Sequence, residues 1–275
     1  MQQRIVHAYG SSRSWSAVLF FWGIILSCFN VASAQTPASR VLVEGEELRY
    51  NVRYGPIDIG QVRIQTGKKL LANGAPAFQA YAYIDSYKGI PFVNLHAVFE
   101  SVLDSMMFSR HFVGKSKDGD SYDFARYKFD YTKNRVFMES GSKDTIIEKR
   151  DTIVIDGAAQ DGLSLFFYAR DQLFSGRKQN IPAVVKEKKV NTLIDFYGKR
   201  KAIEQELIEY AVDCVGFEGT AEFTGIFGLT GDFEGWFSND EARVPVMAKM
   251  KVIIGSVTIE LMEWKRDGWK PPRVN

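Results

Sequence analysis

The apolar residues of this chain recur at every second position over most of its length, starting near residue 40. In the segment Leu48–Tyr54, large apolar side chains alternate with arginine and asparagine. Alternation of this kind puts one row of side chains on each face of a β-strand. Gly55-Pro56 then supplies a turn into a second apolar run, Ile57–Ile64. The period of two therefore predicts a strand pair at the start of the fold.

Similar apolar runs follow along the chain, separated by turn-forming clusters such as Ala72-Asn73-Gly74 and Thr132-Lys133-Asn134. The runs are Phe78–Ile84, Phe92–Leu103, Tyr122–Tyr131, Val136–Ser140, Thr145–Ile155, Val184–Phe196, Ala202–Tyr210 and Cys214–Phe223. Their spacing is typical of many antiparallel strands in a meander. The stretch Phe92–Phe112 also fits a helix, and that alternative stays open here.

Near the C-terminus, Gly255-Ser256 predicts a two-residue hairpin turn, because glycine suits the first central position of a type II′ turn. The cross-strand pairs expected from this turn are Ile254 with Val257, Val252 with Ile259, Met250 with Leu261, and Lys251 with Glu260. One face of the hairpin is then apolar, and the other carries a favourable charge pair.

One segment departs from the period of two. Apolar residues between Leu163 and Phe174 recur at helical spacing, and Ser175-Gly176 supplies a stop. Asp161 is the expected N-cap, with Ser164 in the first turn helping to satisfy free backbone N–H groups. The pattern predicts one amphipathic helix in an otherwise β chain.

With a helical rotation of roughly 100° per residue, Arg170 falls on the same side of the helix as the apolar residues. A guanidinium keeps its proton, so in that position it needs a carboxylate or carbonyl oxygens. Two interpretations stay open: Arg170 fixes the helix to the sheet, or it binds the anionic group of a ligand inside a cavity.

These patterns predict an all-β, mainly antiparallel fold: a strongly curved sheet or β-barrel-like domain with one amphipathic α-helix. No linker or internal repeat divides the chain, so residues 35–275 are expected to form a single domain. Two stacked β halves are the alternative.

Residues 1–34 have the pattern of a cleaved export signal. Arg4 and Arg13 precede the apolar run Trp15–Val31, and Ala32-Ser33-Ala34 provides the small residues that signal peptidase needs. The expected destination is the periplasm or the outer membrane, with no transmembrane segment after cleavage. An uncleaved membrane anchor is one alternative, and lipidation at Cys28 is another.

The charge balance excludes a nucleic-acid-binding class. Arg4 and Arg13 are the only charged residues among the first 34, so the remaining chain carries 33 basic against 33 acidic side chains. Cleavage also removes Cys28 and leaves Cys214, which is expected to be a small buried side chain.

Three motifs follow one another along the chain: Gly45–Tyr50 with Gly60 after it, Asp161-Gly162-Leu163-Ser164 leading to Arg170, and Gly235–Val246. Together they resemble a family of exported Gram-negative bacterial proteins known only as a domain of unknown function. The resemblance spans about residues 41–264. It implies an exported, mostly β envelope protein and supplies no catalytic residue; only Asp161, Ser164 and Arg170 match its pattern at the helix.

Few residues are arranged for catalysis. His96 and His111 lie fifteen residues apart without ligand spacing, so no metal site and no cofactor are predicted. Ser164 follows the first glycine of a G-x-S-x-G serine-hydrolase motif, but the second glycine is missing. The acidic residues around Asp240 could act as the carboxylate pair of a glycosidase. We therefore predict no catalytic residue, and keep a hydrolase of envelope glycans or esters as an alternative.

The segment Phe223–Phe237 concentrates aromatic residues among glycines. Glycines let a sheet curl, and the aromatic side chains pack in its core or line a cavity. From this pattern we predict binding of an apolar or amphiphilic molecule, with Phe233, Trp236 and Phe237 as apolar contacts and Arg170 for an anionic head group. The other alternative is a protein that binds an envelope partner through strand edges or the tail Trp269–Pro272.

Overall fold

The computed structural model describes residues 40–72, 74–90, 94–142, 146–222, 229–252 and 255–274, which contain fifteen strands and the helix α1 (Ser164–Gln172). The strands are β1 (Glu47–Tyr54), β2 (Ile57–Ala72), β3 (Ala75–Ser86), β4 (Leu95–Asp104), β5 (Ser109–Asp118), β6 (Ser121–Asp130), β7 (Arg135–Gly141), β8 (Lys149–Val154), β9 (Lys178–Val185), β10 (Lys188–Asp195), β11 (Arg200–Gln205), β12 (Ile208–Ala221), β13 (Leu229–Ser238), β14 (Pro245–Val252) and β15 (Ser256–Lys265). The predicted signal segment and Cys28 lie outside the described residues.

All the described strands belong to one antiparallel sheet. Their order is β8-β7-β6-β5-β4-β3-β2-β1-β15-β14-β13-β12-β10-β9, and β11 pairs with β12 beside this path. Most neighbours in the sheet are also neighbours in sequence, as a meander requires. There are two exceptions: β10 pairs with β12, and β1 pairs with β15 as well as with β2, so the first and last strands meet in the middle of the sheet.

The segment 155–160, which leads from β8 toward the helix, bridges the gap between the two edges of the sheet. On the β9 side, the Gln160 N–H donates to the Pro182 carbonyl at 2.9 Å, and the Val184 N–H donates to the Gln160 carbonyl at 2.8 Å. On the other side, the Tyr131 hydroxyl lies 3.1 Å from the Ala159 carbonyl. The sheet is therefore strongly curved and barrel-like, bridged by this segment rather than closed by a continuous strand ladder. The predicted fold class is confirmed.

Helix α1 begins at a buried capping arrangement. Asp161 Oδ1 accepts hydrogen bonds from the backbone N–H groups of Leu163 (2.7 Å) and Ser164 (2.8 Å), and Ser164 Oγ accepts one from the Asp161 N–H (2.8 Å). This reciprocal pattern satisfies N–H groups that a helix start leaves free. Leu163 and Phe167 pack with β1 to β4, while Ala169 and Leu173 pack with β9, β10 and β12. The helix thus fills one side of the curved sheet.

The strand predicted at Phe92–Leu103 is present as β4, and the helix alternative is wrong for residues 94–112, which contain β4 and β5; Phe92 lies outside the described residues. Two other predictions of strands need correction. The run Val184–Phe196 contains a turn at Lys186-Glu187, and the run Ala202–Tyr210 contains a turn at Glu206-Leu207. Neither turn has glycine, proline or asparagine, the residues by which turns are usually recognised in a sequence.

The predicted register of the last hairpin is wrong by four residues. Lys251 lies opposite Ser256, Met250 lies opposite Val257, and the Val252 N–H donates to the Gly255 carbonyl at 3.2 Å, so the turn is centred two residues earlier than predicted. Gly255 has a positive φ of 81° but follows the centre of the turn instead of occupying its first central position. Strand β15 also pairs with β1, over the whole length of β1, and this second partner fixes the register of β15. Ile254 lies outside the described residues.

In the observed register the charge pair differs from the predicted one, but each side chain of the hairpin lies on the predicted face. A shift by an even number of residues leaves each side chain on its original face. Lys251 forms an ion pair with Asp232 on β13 at 2.5 Å, while Glu260 lies opposite Met247.

Candidate functional site

A cavity of about 920 Å³ lies between the concave face of the sheet and helix α1. Both halves of the sheet contribute apolar side chains to its wall, among them Val62, Phe99, Phe112, Phe217, Phe237 and Ile259. Helix α1 and the residue before it add Phe166 and Leu163. This volume falls in the range of small-molecule sites, which are concave and mostly apolar.

Small residues on the inner face leave room for the cavity. Gly114, Ala125, Gly235 and Ala248 all line it. Because Gly235 has no side chain, the ring of Phe217 packs directly over its backbone; a Cβ at this position would lie 2.3 Å from Cζ of Phe217. The glycines in the aromatic segment therefore allow close packing of aromatic rings at the cavity wall.

The structure brings Phe233 and Phe237 to the cavity and leaves Trp236 outside it. Phe233 and Phe237 are both lining residues. Trp236 is buried in a separate cluster with Ile203, Val212 and Val246. Successive residues of a strand point to opposite faces, so Trp236 cannot share the cavity face with Phe237.

Arg170 is fully buried but does not line the cavity in the part of the chain that the structure describes. Its Nη1 donates to Glu46 Oε1 at 2.6 Å, and its Nη2 donates to Glu46 Oε2 at 3.2 Å. Nε donates to the Arg243 carbonyl at 3.1 Å, and Nη2 also donates to the Ala242 carbonyl at 3.0 Å. These contacts join the helix to the segment before β1 and to the β13–β14 connection. A second guanidinium, from Arg266, also binds Glu46.

Asp161 and Ser164 are buried at the start of the helix. Besides the capping bonds, the Asp161 carboxylate accepts hydrogen bonds from Ser101 Oγ (2.8 Å) and Ser109 Oγ (2.6 Å). Burial raises the pKa of this carboxyl group, and the hydrogen bonds oppose that rise. The Ser164 hydroxyl belongs to the same buried arrangement and has no exposed surface from which to attack a substrate.

Other candidates for chemistry are also engaged in packing. Asp240 accepts hydrogen bonds from Ser238 Oγ and from Nε1 of Trp269, both at 2.8 Å. The free Cys214 is buried, and burial raises the pKa of its thiol, which disfavours the reactive thiolate. Within the described ranges, no group of three or more His, Cys, Asp or Glu side chains is placed to hold a metal ion. Nor does any helix in those ranges have the length and apolarity needed to cross a membrane.

The tail that the sequence offered for partner binding folds back onto the sheet. The Trp269 ring packs edge-on against Trp264 at 5.7 Å between centroids. The Pro271 carbonyl accepts a hydrogen bond from the Tyr210 hydroxyl at 2.9 Å, and the Pro272 carbonyl accepts one from the Asp213 N–H at 2.8 Å.

Two polar residues of the cavity wall were not predicted from the sequence. Tyr50 on β1 and Thr192 on β10 both line the cavity and are almost completely buried. Tyr50 was expected only as one of the alternating apolar residues of a strand. Charged residues of the wall, such as Lys149, Lys186 and Asp232, are exposed to solvent and so mark the opening of the cavity.

The fold and the site define a β-barrel-like protein with a largely apolar interior cavity. A family model described as a protein of unknown function, DUF3108, matches residues 49–262. The chain belongs to this family. A search of the curated proteins found no match.

Two solved structures give the structural comparison. A β-barrel-like protein of the domain of unknown function DUF1849 from Brucella abortus superposes with a TM-score of 0.55 at 10% identity, covering 82% of this chain and 99% of that chain. A Bacteroides fragilis protein described as exported, with a YmcC-like fold, gives a TM-score of 0.35 at 8% identity, covering 82% and 98%. The first likeness supports the barrel-like fold.

Proposed function

We propose that this protein binds an apolar or amphiphilic small molecule in the cavity between the curved sheet and helix α1. The observation that carries the proposal is the cavity itself, about 920 Å³ with a wall built mainly of aliphatic and aromatic side chains. When an apolar ligand replaces water in such a cavity, apolar surface of both the wall and the ligand is removed from water, and this lowers the free energy. The mouths of barrel-like sheets are common sites of this kind of binding.

Because Arg170 binds other groups of the protein, it is not part of the proposed ligand site, in contrast to the prediction from the sequence. Its donors bind Glu46 and backbone carbonyls, and it lies outside the described wall of the cavity. The proposed site therefore consists of Phe233, Phe237 and the other wall residues. The N-terminal pattern, a basic start, an apolar run and Ala32-Ser33-Ala34, supports the further proposal that the protein is exported to the cell envelope.

A cavity-filling substitution tests the binding proposal. Ala248 lines the cavity, is half-buried, and lies between Gly235 and Ile259 on the neighbouring strands, both also in the wall. We expect Ala248→Trp to occupy part of the cavity and to weaken binding of the neutral dye N-phenyl-1-naphthylamine at least tenfold. The measurement is a fluorescence titration of the folded protein.

The matched control is Ala202→Trp, an exposed position on β11 that is not part of the described cavity wall. This variant should bind the dye like the wild type. Thermal unfolding of both variants establishes that they are folded under the conditions of the titration. Absence of saturable binding in the wild type, or unchanged binding in Ala248→Trp, would contradict the proposal.

A further inference from the structure

Two residues of the cavity wall, Tyr50 and Thr192, each carry a hydroxyl group whose oxygen is buried. The Tyr50 side chain is 3% exposed and that of Thr192 is 1% exposed. Both residues line the cavity, and neither hydroxyl has a hydrogen-bond partner among the described residues. Buried polar groups are nearly always paired, so each unpaired one calls for an explanation.

The two hydroxyls lie on different parts of the cavity wall. Tyr50 is on β1, in the middle of the sheet, where its neighbours are Val62 on β2 and Leu261 on β15. Thr192 is on β10, one strand from the edge, between Ile181 on β9 and Ala221 on β12. The wall thus contains two unpaired, buried hydroxyl groups on well-separated strands.

The surroundings of these hydroxyls favour an uncharged binding partner. The buried charges Arg170 and Glu46 bind each other, so they have little capacity left for a ligand. The lysines of the wall, Lys149, Lys186 and Lys251, are at the exposed opening. A charged head group at the depth of Tyr50 would lose its hydration without gaining a counter-ion. Burial also raises the pKa of Tyr50, so its phenol stays protonated and is able both to donate and to accept.

We propose that Tyr50 and Thr192 select an uncharged amphiphile whose hydroxyl or ester oxygens hydrogen-bond to them while its hydrocarbon chain fills the rest of the cavity. This inference rests on the proposed function and names the chemical class of the ligand. The oxygen atoms of the ligand lie inside the cavity, at these two side chains, rather than at the charged opening.

The test uses displacement of N-phenyl-1-naphthylamine by three compounds with the same chain length. They are 1-monododecanoylglycerol, which is uncharged and rich in oxygen, dodecanoate at pH 8, which is charged, and 1-chlorododecane, which has no oxygen. The wild type should bind the glyceride more tightly than dodecanoate. Tyr50→Phe and Thr192→Val, which remove only the hydroxyl or replace it by a methyl group, should each weaken glyceride binding about tenfold and leave 1-chlorododecane unchanged.

Tyr83→Phe is the control, because Tyr83 lies on β3, two strands from Tyr50, and is not part of the described cavity wall. Without ligand, Tyr50→Phe and Thr192→Val should melt at or above the wild-type temperature, since each removes an unpaired buried hydroxyl. A lower melting temperature would show that the hydroxyl has a structural partner and would overturn its assigned role.

The outcomes separate this inference from the proposed function. If the wild type binds the dye but both variants keep full affinity for the glyceride, or if dodecanoate binds more tightly than the glyceride, the inference is wrong and the cavity proposal survives. If the wild type does not bind the dye, both fail.

Discussion

Among individual residues, Arg170 shows how a buried charge is accommodated in this fold. Its guanidinium binds both carboxylate oxygens of Glu46 and two backbone carbonyls, with no exposed surface. Removing Arg170 would leave the buried Glu46 carboxylate with Arg266 alone as its charged partner among the described residues, and losing one partner of a buried pair costs more than the pair itself contributes. Arg170 therefore holds three chain segments in register: the helix, the segment before β1 and the β13–β14 connection.

We expect Arg170→Met to lower the free energy of unfolding by about 3 kcal/mol, because Glu46 loses its bidentate partner and keeps only Arg266, and the Ala242 and Arg243 carbonyls lose their donor. The matched control is Arg40→Met. Arg40 pairs with Glu241 at the surface, where the two side chains are 40% and 74% exposed, and its loss should cost less than about 1 kcal/mol. Urea titrations of both variants measure the difference. Equal stability of Arg170→Met and the wild type would contradict the structural role, and a loss of dye binding without a loss of stability would return Arg170 to the ligand site.

His111 on β5 gives a prediction about pH. Burial lowers the pKa of His111, Arg126 and Lys128 add to the effect, and Glu100 and Asp161 oppose it. The unfolded chain therefore binds a proton at this position more readily than the folded chain. Stability should fall as the pH drops through the ordinary histidine pKa of about 6.5.

The variant His111→Gln removes this titration. Between pH 7.5 and pH 5.5, the wild type should lose more of its unfolding free energy than His111→Gln, as measured by denaturant titration at each pH. Parallel pH profiles for the two proteins would show that burial of His111 does not affect its protonation.

At the level of elements, the β9–β10 hairpin contains an unusual turn. Lys186 and Glu187 connect the pair Val185–Lys188, and their φ angles are 48° and 56°. A two-residue turn with both φ values positive prefers asparagine and glycine, and other residues are strained there. The Glu187 N–H donates to the Tyr127 hydroxyl on β6 at 3.3 Å, which holds the turn near the other edge of the sheet.

Lys186→Gly should raise the free energy of unfolding by about 0.5–1 kcal/mol, because glycine adopts a positive φ without steric cost. At the adjacent strand position, Lys188→Gly should lower it by a similar amount, since glycine weakens an extended strand. Thermal melts of the two variants should therefore shift in opposite directions. A decrease for both would mean that the turn is not strained.

The sequence predicted the elements of this fold better than their connections. Alternation identified the strands because one face of each is buried, and Asp161 marked the start of the helix through its side-chain oxygen. The turns at Lys186-Glu187 and Glu206-Leu207 escaped prediction because neither contains a turn-forming residue. The register at Gly255 was wrong because β15 is aligned by β1, a partner about 200 residues away in the chain.

At the scale of the whole molecule, the cavity was predictable only in outline. Aromatic residues among glycines indicated a curved sheet with an aromatic interior, and Phe233 and Phe237 do line the cavity. Trp236 and Arg170 do not, because the face of a strand and the partner of a buried charge depend on tertiary packing. The unpaired, buried hydroxyl groups of Tyr50 and Thr192 were not predicted for the same reason: whether a hydroxyl is paired depends on distant segments.

The central claim is that the cavity holds a ligand. Native mass spectrometry of the protein, purified without denaturant from the cells that make it and followed by solvent extraction, tests this claim most directly. We predict a bound, extractable apolar or amphiphilic compound in the wild type and much less of it in Ala248→Trp. A wild-type protein that carries no such compound, and takes up none when 1-monododecanoylglycerol is added, would contradict the binding proposal.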